Sequence, residues 1–373
     1  MKQELLLFTL ILVASPCMAQ ETDKDQRAIQ RFKALDKNGD GFLTPDEFPR
    51  KRLFKFMDKD GDGRIDLDEA KGVRKRLSDA KKARKNQPKP SHSIVYHKSE
   101  GVAPKLLSLD IYTPKEKEKG SHSKRPVVVM IHGGGWAIGD KAGAGVIHPK
   151  CADFLKRGYL FVSINYRLSP KVKHPVHVQD CARALSYIHD HIAEHGGNPE
   201  QILLMGHSAG AHLAALVSID DQYLKVHGKS LKVIKGVVLL DGAAYNVETQ
   251  IAASAGKKMA RKLYKDAFGI TKKEWAAASP TLHVKANKNV APFLIFHAGD
   301  RKASENQAKE LSRTLVKAGY KASIEHAKDK SHSSMNRDLG KAGDKPTASI
   351  HKFFEGLVKA QSPKKAPKQS SEQ

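Results

Sequence analysis

Hydrophobic positions follow two different patterns along the chain. Five short apolar runs recur, Val127–His132, Leu160–Asn165, Ile202–Met205, Val233–Leu240 and Phe293–His297, each bounded by Gly, Pro or Asp. Apolar runs without alternation predict strands covered on both faces, the habit of a parallel sheet. Between them, the helical period of Val178–His191 and Ala209–Ser218 predicts amphipathic helices. Buried strands alternating with helices imply an α/β class: a mostly parallel sheet flanked by helices. Residues 21–70 are instead dense in Asp and Gly with short helical patterns, which predicts a small all-α unit ahead of the sheet.

The flanking segments divide the chain further. Residues 1–19 begin with Lys2, pass through the apolar stretch Leu5–Val13 and reach the small Ala19, the layout of a secretory signal peptide. That stretch is too short to span a bilayer, and no later segment approaches ~18 uninterrupted apolar residues, so no transmembrane span is expected. The mature chain is expected to be secreted or periplasmic. Cys17 as a lipid-anchor cysteine is the less favoured alternative, because Pro16 precedes it. Residues 71–90 hold nine basic side chains against one acidic and end in Pro88 and Pro90, a helix extension running into a stiff linker. The organisation read from these features is a signal peptide 1–19, an all-α pair of loops 20–72, a basic linker 73–91, the α/β domain 92–360 and a disordered tail 361–373.

Charge adds a preference for partners. Among 373 residues, 65 Lys and Arg against 40 Asp and Glu give a net charge of +25, which favours an acidic glycan or an envelope surface. The basic run lacks interleaved aromatics and follows an export signal, so nucleic acid is not an expected partner. Hydrophobic residues at 40% and charged residues at 28% exclude wholesale disorder. After cleavage, Cys151 and Cys181 remain; they are expected on helices on opposite faces of the sheet, as buried free thiols.

One repeat is visible. Asp36–Glu47 and Asp58–Glu69 align without a gap at a spacing of 22, and each fits D-x-[DN]-x-[DN]-G-x5-E. This pattern places six oxygen donors around one Ca²⁺. In the first loop they are Asp36, Asn38, Asp40, the Phe42 carbonyl, Thr44 and Glu47; in the second, Asp58, Asp60, Asp62, the Arg64 carbonyl, Asp66 and Glu69. The two loops resemble an EF-hand pair, which implies two Ca²⁺ ions. Pro49 cuts short the helix after Glu47, so a structural or spacer role is expected rather than sensor-type opening. Five carboxylates in the second loop against three in the first predict tighter binding there.

A second constellation carries covalent chemistry. Gly206-His207-Ser208-Ala209-Gly210 joins a predicted strand to a predicted helix, the setting in which a tight turn lifts a serine hydroxyl above the sheet. His132-Gly133-Gly134-Gly135-Trp136 follows another strand, and its bare backbone can approach a substrate carbonyl. The Gly134, Gly135 and Ala209 amides are the expected oxyanion hole. A base and an orienting acid should follow in the order Ser, Asp, His. Asp300, just beyond Phe293–His297, and His332, in the polar loop Lys328–Ser334, suit those roles. His326 is the alternative base, and Asp241, at the end of Val237–Leu240, is the alternative acid. His189, His191 and His195, with His191 and His195 one helical turn apart, could be metal ligands, but no nearby Cys or carboxylate completes a site with them, and they read as a solvated helix face.

From about 92 to 358, the chain resembles α/β-hydrolase esterases of the hormone-sensitive-lipase and kynurenine-formamidase-like groups. The residues that carry the likeness are HGGGW at 132–136, Ser163–Pro170, GHSAG at 206–210 and Ala278-Ser279-Pro280, in that order. The resemblance implies carboxylic-ester hydrolysis through an acyl-enzyme with Ser208, Asp300 and His332, no cofactor for the ester chemistry, and a small cap over Tyr245–Ala277. Short-acyl esters and acetyl groups on glycans are the expected substrates. The alternatives are an arylformamidase, or a calcium-dependent surface-attachment protein whose hydrolase domain is inactive.

Overall fold

Unbroken apolar runs become the centre of an eight-stranded sheet in the computed structural model, which describes residues 16–48, 54, 57–58, 64–72, 88–114, 124–256 and 258–361. Much of the expected signal peptide, Pro49, the loop residues Asp60, Asp62 and Gly63, most of the basic linker and the tail beyond 361 lie outside the described residues. The chain divides into two units, Met1–Asn86 and Gln87–Gln373.

In the first unit, helix α1 (Pro16–Leu35) delivers the chain into the first acidic loop. Leu43 and Ile65, at equivalent positions of the two loops, exchange both backbone hydrogen bonds at 2.9 Å as an antiparallel bridge. Both side chains are buried in a small core with Phe32, Phe48, Phe54 and Met57. The repeat in sequence is therefore a pairing in space.

The second unit is built on strands β1 (His92–Val95), β2 (Ser108–Tyr112), β3 (Arg125–Ile131), β4 (Leu160–Ile164), β5 (Gly197–His207), β6 (Ile234–Leu240), β7 (Phe293–Ala298) and β8 (Ala322–Ala327). They lie in the order β1-β2-β4-β3-β5-β6-β7-β8. β1 and β2 run antiparallel to their neighbours, and β4 through β8 are parallel. The helices of this unit include α2 (Lys150–Lys156), α3 (Val176–His191), α4 (Ala209–Ile219), α5 (Val247–Ala252), α6 (Lys258–Phe268), α7 (Lys272–Ala277), α8 (Lys302–Lys317), α9 (His332–Arg337) and α10 (Lys345–Gln361).

The period of two in β3 shows why its run is apolar throughout. Val127, Val129 and Ile131 pack with α3 and α4, while Val128 and Met130 pack with Phe154 of α2 and Phe354 of α10. Each such side chain contributes roughly 1.5–3 kcal/mol by leaving water, so both faces need cover. Cys151 and Cys181 sit in these two opposite layers, both buried and both free. The chain order reverses around β3, with β4 on one side and β5 on the other, and the loops after β3, β5, β6 and β7 gather at one edge of the sheet. Open α/β sheets bind ligands at that carboxyl edge.

Candidate functional site

β5 ends at His207, and the chain turns at Ser208 into α4 with φ 56° and ψ −120°. A non-glycine residue held at positive φ costs of order 1–3 kcal/mol and persists where surrounding contacts impose it. Here they do, because a side chain at Gly206 would collide with the Gly210 carbonyl, and one at Gly210 would collide with the Ile131 carbonyl. The two flanking glycines let strand and helix close on each other, and the serine hydroxyl is left at the sheet edge.

A hydrogen-bonded chain runs back from that hydroxyl. His332 Nε2 lies 3.0 Å from Ser208 Oγ, and His332 Nδ1 lies 2.6 Å from Asp241 Oδ2. With Nδ1–H donating to the carboxylate, Nε2 carries the lone pair that accepts from Ser208. Asp241 is fully buried; its Oδ1 accepts from the Ala298 amide at 3.1 Å and from Ser304 Oγ at 2.6 Å. Burial alone would raise its carboxyl, but the His332 hydrogen bond, the Arg301 charge and Ser304 together hold it well below the usual carboxylate range.

The structure thus puts Asp241 where the spacing argument puts Asp300. Asp300 is exposed, beyond the turn at Gly299, and its carboxylate makes no hydrogen bond among the described residues. The next residue, Arg301, is the one that turns inward, pairing with Asp241 and reaching within 2.7 Å of His332 Nδ1. Asp241 was legible as a residue closing an apolar strand; Arg301 and Ser304 carried no signal of their own. His332 likewise differs from its expected loop, since it opens α9 behind the N-cap Ser331, whose side chain accepts from the Ser334 amide. Lys150, buried in α2, fastens that helix by donating to Asn336 Oδ1 at 2.9 Å and to the Gly145 carbonyl at 2.6 Å. His326, the alternative base, bonds the Gly299 carbonyl and stacks on His297, outside the chain of contacts to Ser208.

His207 supports the base from below. Its Nε2 donates to the His332 carbonyl at 2.9 Å, and burial pushes its ring down to about 3, so it stays neutral beside His332. The HGGGW loop is braced by its own side chains. His132 stacks on Tyr166, and Trp136 donates to His212, which donates in turn to the Ala278 carbonyl. Gly134, Gly135 and Ala209 line one cavity of about 310 Å³ with Ser208 and His332. As the first residue of α4, Ala209 has an amide without an intrahelical acceptor. The expected cap folds as α5, α6 and α7, and α6 sends Leu263 and Tyr264 into this cavity. His189, His191 and His195 are engaged with Asp190, Glu194 and His92 respectively.

In the first acidic loop, Asp36 accepts from the Gly39 and Gly41 amides, Asp40 from the Phe42 amide, and Glu47 from Thr44 and Lys37. Among the described residues, no three acidic or histidine side chains converge as a metal cluster. The donor types nonetheless fit a hard cation: every ligand position holds an oxygen, and the carboxylates curl around a turn with φ 71° at Gly39 and 82° at Gly41. In the second loop, Glu69 accepts from the Asp66 amide at 3.1 Å.

Comparison with known proteins gives the same division. The model of the BD-FAE family matches residues 109–315, and that of the EF hand matches 29–50 and 50–69. A probable isoprenylcysteine alpha-carbonyl methylesterase of Arabidopsis thaliana is 30% identical over 285 residues, covering 73% of this chain and 56% of that protein. Esterase LipQ of Mycobacterium tuberculosis is 31% identical over 221 residues, covering 57% and 50%. The chain spans about half the length of the curated relatives it matches. Esterase B from Lactobacillus rhamnosis superposes with a TM-score of 0.60 at 21% identity, covering 77% of this chain and 94% of that one. A carbohydrate esterase from gut microbiota gives 0.55 at 22%, covering 74% and 100%. At these identities the structural likeness is one of fold.

Proposed function

We propose that this chain, which belongs to the BD-FAE family, hydrolyses carboxylic esters of short acyl groups through an acyl-enzyme on Ser208. The observation that carries the reading is the unbroken Ser208–His332–Asp241 chain of hydrogen bonds beside the glycine-rich loop. As Ser208 Oγ attacks the ester carbonyl, His332 Nε2 takes its proton, and the negative charge on the carbonyl oxygen falls to the Gly134, Gly135 and Ala209 amides. His332 then protonates the departing alcohol oxygen. Water repeats the sequence on the acyl-enzyme and releases the acid and free Ser208. Asp241 stays ionised throughout, holding Nδ1–H and stabilising the imidazolium. A cavity of about 310 Å³, closed on one side by Leu263 and Tyr264, suits acetyl to butyryl groups.

A p-nitrophenyl alkylphosphonate tests this. One equivalent of p-nitrophenol should be released, the adduct should map to the Ser208 peptide by mass spectrometry, and turnover of p-nitrophenyl butyrate should fall in parallel. Turnover that persists with Ser208 unlabelled would place the chemistry elsewhere. Neither turnover nor label, with calcium-dependent retention on an acidic glycan, would favour the attachment role.

The leader-like residues 1–19 support an extracytoplasmic location, where calcium is abundant. There Asp36, Asn38, Asp40, Phe42, Thr44 and Glu47 would hold one Ca²⁺, and Asp58, Asp60, Asp62, Arg64, Asp66 and Glu69 a second. The ions would supply fixed charge that ties the two loops together, with no part in the ester chemistry. Calorimetric titration of the full chain should find two sites, with Kd values of roughly 0.1–1 mM. Glu69→Gln should remove the tighter site and Glu47→Gln the weaker; a single site lost in neither variant would refute the assignment.

A further inference from the structure

Arg301 is the one residue lining the Ser208 cavity, among the described residues, with a permanent charge. We propose that it makes the site selective for esters whose alcohol part carries an anion, such as acyl esters of sugar acids or hydroxy acids. The inference rests on the ester-hydrolase reading of the same site.

Three observations place the charge. Arg301 Nη1 pairs with Asp241 and lies 2.7 Å from His332 Nδ1, so the guanidinium stands one imidazole ring behind the nucleophile. With Nδ1–H already given to Asp241, the contact with His332 sets two donors side by side, and the arginine is held by the carboxylate alone. Its side chain is 43% exposed, and its remaining nitrogens donate to no group among the described residues. They are free to receive a ligand, and the anchored Nη1 holds the plane of the fork in advance.

The side of the scissile bond follows from the proton path. His332 must hand its proton to the departing oxygen, so the alcohol part lies on the His332 side of Ser208, and Arg301 is on that side. The acyl carbonyl faces the amides of Gly134, Gly135 and Ala209. A carboxylate a few bonds from the ester oxygen would therefore meet the guanidinium. The approach is positive as well. Helix α6 turns Leu263 and Tyr264 to the cavity, while its Arg261 and Lys265, together with Lys262, which pairs with Asp266, line a groove of about 490 Å³. Such a field raises the local concentration of anions.

The test uses two chromogenic acetates that differ by one carboxylate on the leaving group, 4-nitrophenyl acetate and 5-acetoxy-2-nitrobenzoate. The ratio of kcat/KM for the carboxylated ester to that for the neutral one is read in the full chain, in Arg301→Met and in Arg301→Lys. Because Arg301 also touches Asp241, both rates will change, and the ratio separates recognition from positioning. The ratio should fall tenfold or more in Arg301→Met and recover in part in Arg301→Lys. In the unsubstituted protein it should fall as salt rises, which holds the proposal to a test even if the variants do not fold. A ratio that is equal in all three proteins, or insensitive to salt, overturns the role of Arg301. Loss of the carboxylate preference together with turnover that survives Ser208→Ala overturns the ester-hydrolase reading instead. An acetylated uronic-acid oligosaccharide and its carboxyl-reduced form should show the same preference if the alcohol is a sugar acid.

Discussion

Asp241→Asn should lower kcat/KM for p-nitrophenyl butyrate by roughly 10⁴-fold, while Asp300→Asn stays within about threefold of the unsubstituted protein, as a surface change does. The asymmetry follows from geometry. An amide at 241 would offer Nδ1 of His332 either a competing donor or a weaker acceptor, and the ring would lose the tautomer that leaves Nε2 free. The other Asp241 oxygen would still accept from Ala298 and Ser304, so the fold should be retained. At Asp300 no such contact exists to lose, and the side chain faces water. Steady-state kinetics on the two variants, with circular dichroism to verify folding, decide the matter. A collapse of activity in Asp300→Asn with Asp241→Asn near normal would restore the acid to the β7 turn and require Arg301 to swing out.

Acid should destabilise the second unit well before it protonates the carboxylates. His177, His207 and His212 are each less than a tenth exposed, and burial pushes each ring from 6.5 down to about 3. A group whose folded value lies below its unfolded value costs nothing above the unfolded value. As pH falls below about 6.5, the unfolded chain takes up the proton first, and stability declines until about 3, where the folded rings also protonate. Each ring contributes about 1.4 kcal/mol per pH unit in that window. At pH 5.5 three rings together remove about 4 kcal/mol, a large share of a typical total of about 5–15 kcal/mol. Tm should therefore fall by roughly 10 °C between pH 7.5 and 5.5. His212→Gln should remove one proton from the slope. A Tm that is flat over this range would mean the rings are hydrated or already charged in the folded protein.

The parts of this molecule that were readable in advance are those decided by local pattern. Val127–Ile131 and Val237–Leu240 read as strands because a run apolar on both parities has no other economical place than the middle of a covered sheet. Ser208 was readable because a strained elbow demands small neighbours, and Gly206 and Gly210 write that demand into the sequence. The acid was not, because its identity depends on which of two strand ends points its side chain at a residue 91 positions later. Asp241 leaves β6 inward with φ 45°, whereas Asp300 lies one turn past the end of β7. Spacing along the chain does not distinguish these cases. The helix at His332 was hidden for a related reason: its start is a capping exchange between Ser331 and Ser334, brief and polar, which in sequence looks like any surface loop.

The dispersal of the three reacting groups over separate strand ends also bears on how the protein is made. A nascent chain carries Ser208 long before it carries His332, and through that interval the hydroxyl is an ordinary alcohol with no base to deprotonate it. Closing the last contact across 124 residues requires β8 to have joined the sheet and α9 to have docked through Asn336 on Lys150 of α2. Fragments that end before residue 332, whether from premature termination or from proteolysis, should therefore be catalytically silent, and reactivity is withheld until nearly the whole domain has been synthesised.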